Sequence, residues 1–184
     1  MNLPKLPKID DLCGKRFVYR DFVECSDTWR LLDVDNIPEQ PETYAALRRL
    51  VNLVLDPVSD HFGSITLTYG VATPQLTKKI RRNISPRVDQ HSSHELSATG
   101  KTICSRGGAA CDFSVNGVSS LVVAQWVVGN TKFDRLYYYG VDRPIHVSAS
   151  DQPKRQCVIV KRKEGSRQVL PTVISTEKFL ALQE

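Results

Sequence analysis

Four histidines and one oddly placed acid are the residues of this 184-residue chain whose types suggest chemistry. Asp112 interrupts AACDFSV (109–115), a run of otherwise small and apolar residues that reads as a buried strand. A lone carboxylate there is costly unless it is paired or ligates a metal. His91 and His94 lie in a long polar loop, and His146 sits in PIHVS, a strand pattern. Two imidazoles and one carboxylate from three separated segments form a common catalytic zinc set, with the fourth position left to water. These residues alone leave open which of His91 and His94 takes part. His61 follows an amphipathic helix and is read as structural. The five cysteines (Cys13, Cys25, Cys104, Cys111, Cys157) contain no CxxC pair. That excludes a Cys-based zinc finger, argues against a disulfide framework and fits a reducing compartment. Cys111 is expected to pack on the face of its strand opposite Asp112.

The elements that must position these groups are mixed. The clearest helix is ETYAALRRLVNLVL (42–55), apolar at three-four spacing, with Pro57 either ending it or kinking a continuation to His61. FVYRDF (17–22) alternates weakly and suggests a short strand. Strands are expected at 64–68, 109–115, 133–139, 145–148 and 156–161, and helices from Pro74 to Ile80 and over 119–128. The stretch 87–108 lacks periodicity, and loops of that length in a compact domain are usually functional. Tyr137, Tyr138 and Tyr139 alternate faces of a strand, so one or two of them are candidates to line a pocket. The fold class expected is α+β, an antiparallel sheet with helices packed on one side.

Composition narrows the function classes. With 25 Lys and Arg against 20 Asp and Glu, the net charge of +5 suits either an anionic partner or simple solubility. Lys78, Lys79, Arg81, Arg82 and Arg87 form a basic cluster on a helix and its exit, a solvated face or a contact to phosphate or a wall polymer. No known nucleic-acid motif is present, which argues against a nucleic-acid partner. The longest apolar run, Leu121–Val128, is too short to span a bilayer, so no membrane role is expected. MNLPKLPKIDD has no apolar leader, so synthesis in the cytoplasm is expected.

Taken together, S92-S93-H94, G108-A109-A110-C111-D112-F113, F133-D134-R135-L136 and H146-V147-S148 occur in the order found in one enzyme family. They resemble the signature of the zinc D-alanyl-D-alanine carboxypeptidase-like peptidases, which share their fold with the hedgehog signalling domain. F22-V23-E24-C25-S26-D27-T28 and N36-I37-P38 are similar to the opening of the phage and bacterial branch. The resemblance covers roughly residues 17–150. It implies that His94, Asp112 and His146 ligate Zn2+, and that the substrate is peptidoglycan or another peptide containing D-amino acids. It further implies hydrolysis of the bond next to the D-residue, with the wall reached through lysis or a phage particle.

The chain departs from this pattern at three places. The segment 95–107 separates His94 from Gly108 by more than the family allows, an insertion that could form a flap, and His91 competes for the first ligand position. The family's general base falls where this chain has Arg143, which leaves Asp142, one residue earlier, as the candidate base. The family's substrate-binding Arg falls at Ala72, so Arg106 and Arg143 are the candidate substrate clamps. These departures leave a catalytically impaired, metal-bound module for wall or protein binding as the alternative. The domain organisation expected is an arm (1–16), a peptidase-like domain (17–163) and a C-terminal extension (164–184).

Overall fold

A central strand that is apolar on one side and carries a carboxylate on the other organises the chain. In the computed structural model, which describes residues 5–32, 34–80, 88–162 and 169–183, the elements follow in this order: α1 (Tyr19–Glu24), α2 (Asp27–Leu32), α3 (Pro41–Leu50), a π turn (Val51–Leu55), α4 (Asp56–Phe62), β1 (Ile65–Tyr69), α5 (Pro74–Thr77), a 3-10 turn (Gln90–Ser92), β2 (Ala109–Val115), α6 (Ser120–Asn130), β3 (Arg135–Tyr138), β4 (Ile145–Ala149), β5 (Gln156–Arg162), β6 (Val169–Ile174) and α7 (Thr176–Leu180). The six strands form one sheet in the order β1-β2-β4-β3-β5-β6. All neighbours are antiparallel except β3 and β5. The architecture is α+β.

Alternation along the strands divides the sheet into two faces. Cys111 and Phe113 of β2, Ile145 and Val147 of β4, Leu136 of β3 and Cys157 of β5 belong to the hydrophobic core. Against them pack Phe22 of α1, Leu47 and Leu50 of α3, Val54 of the π turn, Val58 of α4, Val127 of α6 and Phe179 of α7. The intervening residues face the other way. Register sets Tyr69 opposite Asp112, Asp112 opposite His146, and His146 opposite Tyr137, a single row across β1, β2, β4 and β3. Cys111 is in the core, on the face opposite Asp112, and all five cysteines are free and buried.

One local difference from expectation has a clear cause. Residues 17–22 are not a strand. Val18 makes only an isolated bridge to Leu12, and α1 begins at Tyr19. Asp21 Oδ2 accepts the Val18 N–H at 2.8 Å, and Tyr19, Phe22 and Val23, at helical spacing, are buried. Of the two courses left open for the long helix, ending or continuing, it takes the second at Pro57. The π turn directly precedes it, where the proline ring and missing N–H would disrupt an α-helical turn, and the helix then runs on to Phe62. The described residues 169–183 pack on the same body: β6 pairs with β5, and Phe179 is buried in the common core. Among the described residues, no helix is long and apolar enough to cross a membrane.

The segment joining β1 to α5 runs close against α1. The Val71 N–H donates to the Phe22 carbonyl at 2.9 Å, and a Cβ at Gly70 would lie 2.2 Å from that same oxygen, so only glycine fits there. Buried Asn36 fastens the arrangement. Its Nδ2 donates to the Val23 and Val71 carbonyls and its Oδ1 accepts from the Thr73 N–H, all at 2.9 Å. Asn36→Ala leaves these three buried backbone groups without their partner and should cost about 2–4 kcal/mol of unfolding free energy. The urea unfolding midpoint of the variant checks this.

Candidate metal centre

Asp112 needs partners because β2 carries it into the middle of the sheet. They come from β4 and from the loop above. His146 Nδ1 lies 2.9 Å from Asp112 Oδ1, a consequence of the direct β2–β4 register. His91 Nε2 lies 3.3 Å from the same oxygen and 3.1 Å from His146 Nδ1.

The loop holds His91 at several points. Asp89 caps the 3-10 turn, its Oδ1 accepting the His91 N–H at 3.0 Å. The His91 carbonyl accepts from the Ala72 N–H, and His91 Nδ1 donates to the Gly70 carbonyl at 2.6 Å. The last bond decides the tautomer: with the proton on Nδ1, the Nε2 lone pair of neutral His91 is aimed at Asp112 and His146. This is the arrangement by which an outer carbonyl orients a metal-binding imidazole. Tyr69 adds a ring edge-on to His91 at 4.4 Å, and its buried hydroxyl has no hydrogen-bond partner among the described residues.

The three donor atoms fit a metal ion. Zinc bonds of about 2.0–2.1 Å in a tetrahedron place neighbouring ligand atoms about 3.3 Å apart. The observed separations of 2.9, 3.1 and 3.3 Å describe one face of such a tetrahedron. Among the described residues this is the one group of three His, Cys, Asp or Glu side chains so placed. It opens on a cleft of about 1080 Å³, bordered by Tyr69, Asp89, Arg106, Tyr137, Tyr139 and Arg143 among others.

The histidine brought beside Asp112 and His146 is therefore His91, not His94. Ser93, at φ 44°, reverses the chain immediately after the 3-10 turn, and its Oγ donates to the Gly108 carbonyl. His94 is turned to the far side of that reversal, where Nε2 accepts the Gly108 N–H at 3.3 Å. Asp112 and His146 stand where expected. Asp142 is exposed in the turn before β4 and does not border the cleft; Asp89 does. Arg106 and Arg143 both border it, and Arg106 Nη1 donates to the Tyr137 hydroxyl at 3.3 Å. Tyr138 points the other way, packing against Phe179.

The tip of the 95–107 insertion, Thr99 to Lys101, is an exposed turn closed by a Leu96–Thr102 bridge and does not reach the cleft. Ala72 is buried beneath it all. His61 stacks on Trp126 at 4.6 Å, far from the chemistry in role. Lys79 borders the cleft, whereas Arg81, Arg82 and Arg87 of the basic cluster lie outside the described residues. The sequence signal that marks His91 is the Asp89-x-His91 spacing of a capped turn. The Gly70 carbonyl, a backbone group, leaves no signal.

The charges are strongly coupled. Burial pushes the His91 imidazole down, but the Asp112 carboxylate, assisted by Asp89 and the Gly70 carbonyl, outweighs it and moves the group up to about 9. Burial pushes Asp112 up, and the two imidazoles overcome this and hold its carboxyl well below the usual carboxylate range.

These shifts set the stability of the metal-free protein. A raised His91 contributes stability that is complete below the imidazole's ordinary value of about 6.5 and is lost as pH rises towards about 9. A depressed Asp112 contributes above the ordinary carboxylate value and loses it as pH falls. Chelator-treated protein should thus melt highest between about pH 5 and 6.5, and His91→Gln should remove the decline on the alkaline side of a thermal-melt series. Metal uptake should identify the ligands. Elemental analysis after zinc addition is expected to find one equivalent in wild type and in His94→Ala, and none in His91→Ala, Asp112→Ala or His146→Ala. Comparison of the chain with protein-family models, with curated proteins and with solved structures returns no match.

Proposed function

We propose that the protein is a zinc-dependent hydrolase of the metallopeptidase kind. Its substrate in this reading is a peptide bond next to a D-amino acid, in peptidoglycan stem peptides or cross-links. The observation that carries it is the His91, Asp112 and His146 donor set, spaced as one face of a tetrahedron and open to a wide cleft. Bound zinc there would polarise a scissile carbonyl and supply an activated water near neutral pH.

The chain's own residues supply the rest. The Gly70 carbonyl and Asp89 hold His91 in its ligating orientation. Asp89 has one carboxylate oxygen on the His91 N–H and borders the cleft, so the base role expected of Asp142 passes to Asp89. Arg106, steadied by Tyr137, and Arg143 orient an anionic part of the substrate, and Arg suits a carboxylate through its planar fork. Tyr69, Tyr137 and Tyr139 line the cleft and exclude water from it.

The alternative is the same metal centre in a module that binds wall or protein without turnover. Ala72, small and buried where a substrate-binding Arg is expected, favours it. The discriminating experiment measures release of D-Ala from a D-Ala-D-Ala-terminated peptide, and of soluble fragments from isolated peptidoglycan. Turnover should vanish with chelator, return with zinc and be absent in His91→Ala. Asp89→Asn, which keeps a capping oxygen, should retain zinc and lose about 10²–10⁴-fold in kcat. One equivalent of zinc with no turnover of either substrate would establish the binding module instead.

A further inference from the structure

Beside the metal cleft lies a second, smaller pocket of about 250 Å³, bordered by His94, Arg106, Asp134, Arg135, Asp151 and Lys154 among others. Arg106 borders both cavities. The centre of the small pocket is Arg135, on the same face of β3 as Tyr137, with a side chain only 13% exposed. Its Nη1 is held on the inner side, 2.6 Å from Asp134 Oδ2 and 3.4 Å from Gln90 Oε1. Its Nε–H is buried and has no acceptor among the described residues. A guanidinium fixed through one nitrogen, with donor capacity left over, is prepared for a further acceptor.

The surrounding charges point to the sign of that acceptor. Asp134, 1% exposed, is already engaged: it accepts from Arg135 Nη1, from Gln90 Nε2 at 2.8 Å and from the Lys154 N–H at 2.7 Å. Asp151 is paired outward with Arg49. Among the described residues, neither Arg106 nor Lys154 has an ion-pair partner. The acids at the pocket are thus neutralised one for one, and two cationic side chains remain in surplus around the unsatisfied Arg135.

We propose that this pocket is an oxyanion-binding subsite that takes a carboxylate or phosphate group through Arg135, Lys154 and Arg106. It stands independently of the metal centre and of the hydrolase reading. Because Arg106 is shared, one ligand with an acidic group can occupy both cavities.

The test is a titration of the full chain with glutarate and, in a separate arm, with inorganic phosphate, followed through the arginine Nε–H resonances by 15N NMR. The Arg135 signal should shift saturably in zinc-supplied wild type and equally in His146→Ala. Lys154→Glu, at an exposed position that leaves the Asp134 contacts to the backbone, should weaken binding by about tenfold or more. Saturation by glutarate alone identifies the carboxylate as the ligand group, and saturation by phosphate alone identifies phosphate. No saturable shift with either probe, unchanged affinity in Lys154→Glu, or a shift that requires bound zinc would each overturn the proposal. Because His146→Ala removes one of the three metal donors but no residue of this pocket, loss of zinc binding leaves the anion result untouched.

Discussion

The carboxylate of Asp112 sits inside a sheet, and the surroundings of the site follow from the need to satisfy it. An unpaired carboxylate at such a position is strongly unfavourable. His146 is supplied by β4 through register alone, because directly opposed residues of an antiparallel pair share a face. His91 comes from the loop after α5 and requires its own support: the Asp89 cap, the Ala72 N–H and the Gly70 carbonyl. That carbonyl is placed in turn by the close passage of Gly70 against Phe22, which Asn36 fastens. The requirement of one charged oxygen therefore reaches the N-terminal helix through a continuous series of hydrogen bonds.

The same sheet explains why the core and the chemistry do not interfere. On β2, Cys111 and Phe113 enter the helix-covered side while Asp112 faces the cleft. A shift of one residue in the β2–β4 register would exchange these roles, burying Asp112 among Leu136 and Val147 and exposing Phe113. The aliphatic packing of α3 and α6 against β2 and β4 thus stabilises the register that brings Asp112 and His146 to 2.9 Å. The hydrophobic core in this way sets a polar distance on the opposite face.

What was legible in the chain follows the same division. Short-range alternation revealed β2, including the opposite facing of Cys111 and Asp112, and three-four spacing revealed the helix expected at 42–55. The acid within an apolar strand and the histidine in PIHVS were enough to indicate a metal-type donor set. The choice between His91 and His94 was not, because it depends on the left-handed Ser93, which reverses the chain between them. No residue type announces that: serine has no particular preference for φ 44°. α1 was misread because alternation over six residues cannot outweigh a capping contact such as Asp21 to Val18, combined with burial of Tyr19 and Phe22. The position of Asp142 was hidden for a related reason. Asp142 is near His146 in sequence, yet the turn before β4 directs it to solvent, while Asp89, fifty-odd residues earlier, borders the cleft.

The segment 95–107 gains a physical meaning from this geometry. Its tip is closed on itself by the Leu96–Thr102 bridge and contributes nothing to the cleft. Its two ends do contribute. Glu95, buried at the start, accepts from Thr43 Oγ1 at 2.7 Å and from the Glu39 and Gln40 N–H groups, anchoring the loop to the start of α3. Arg106, at the end, reaches Tyr137 across the sheet and borders both cavities. Just after Arg106, Gly108 enters β2 at φ 75°, where a Cβ would meet the Ala149 carbonyl at 2.2 Å, so the return path of the loop is tightly confined. A segment anchored by a buried acid at one end and confined by a glycine at the other can vary at its tip without moving Arg106. The tip can therefore move while the cation between the two cavities stays in place, held by the Tyr137 hydroxyl and the strand that carries it.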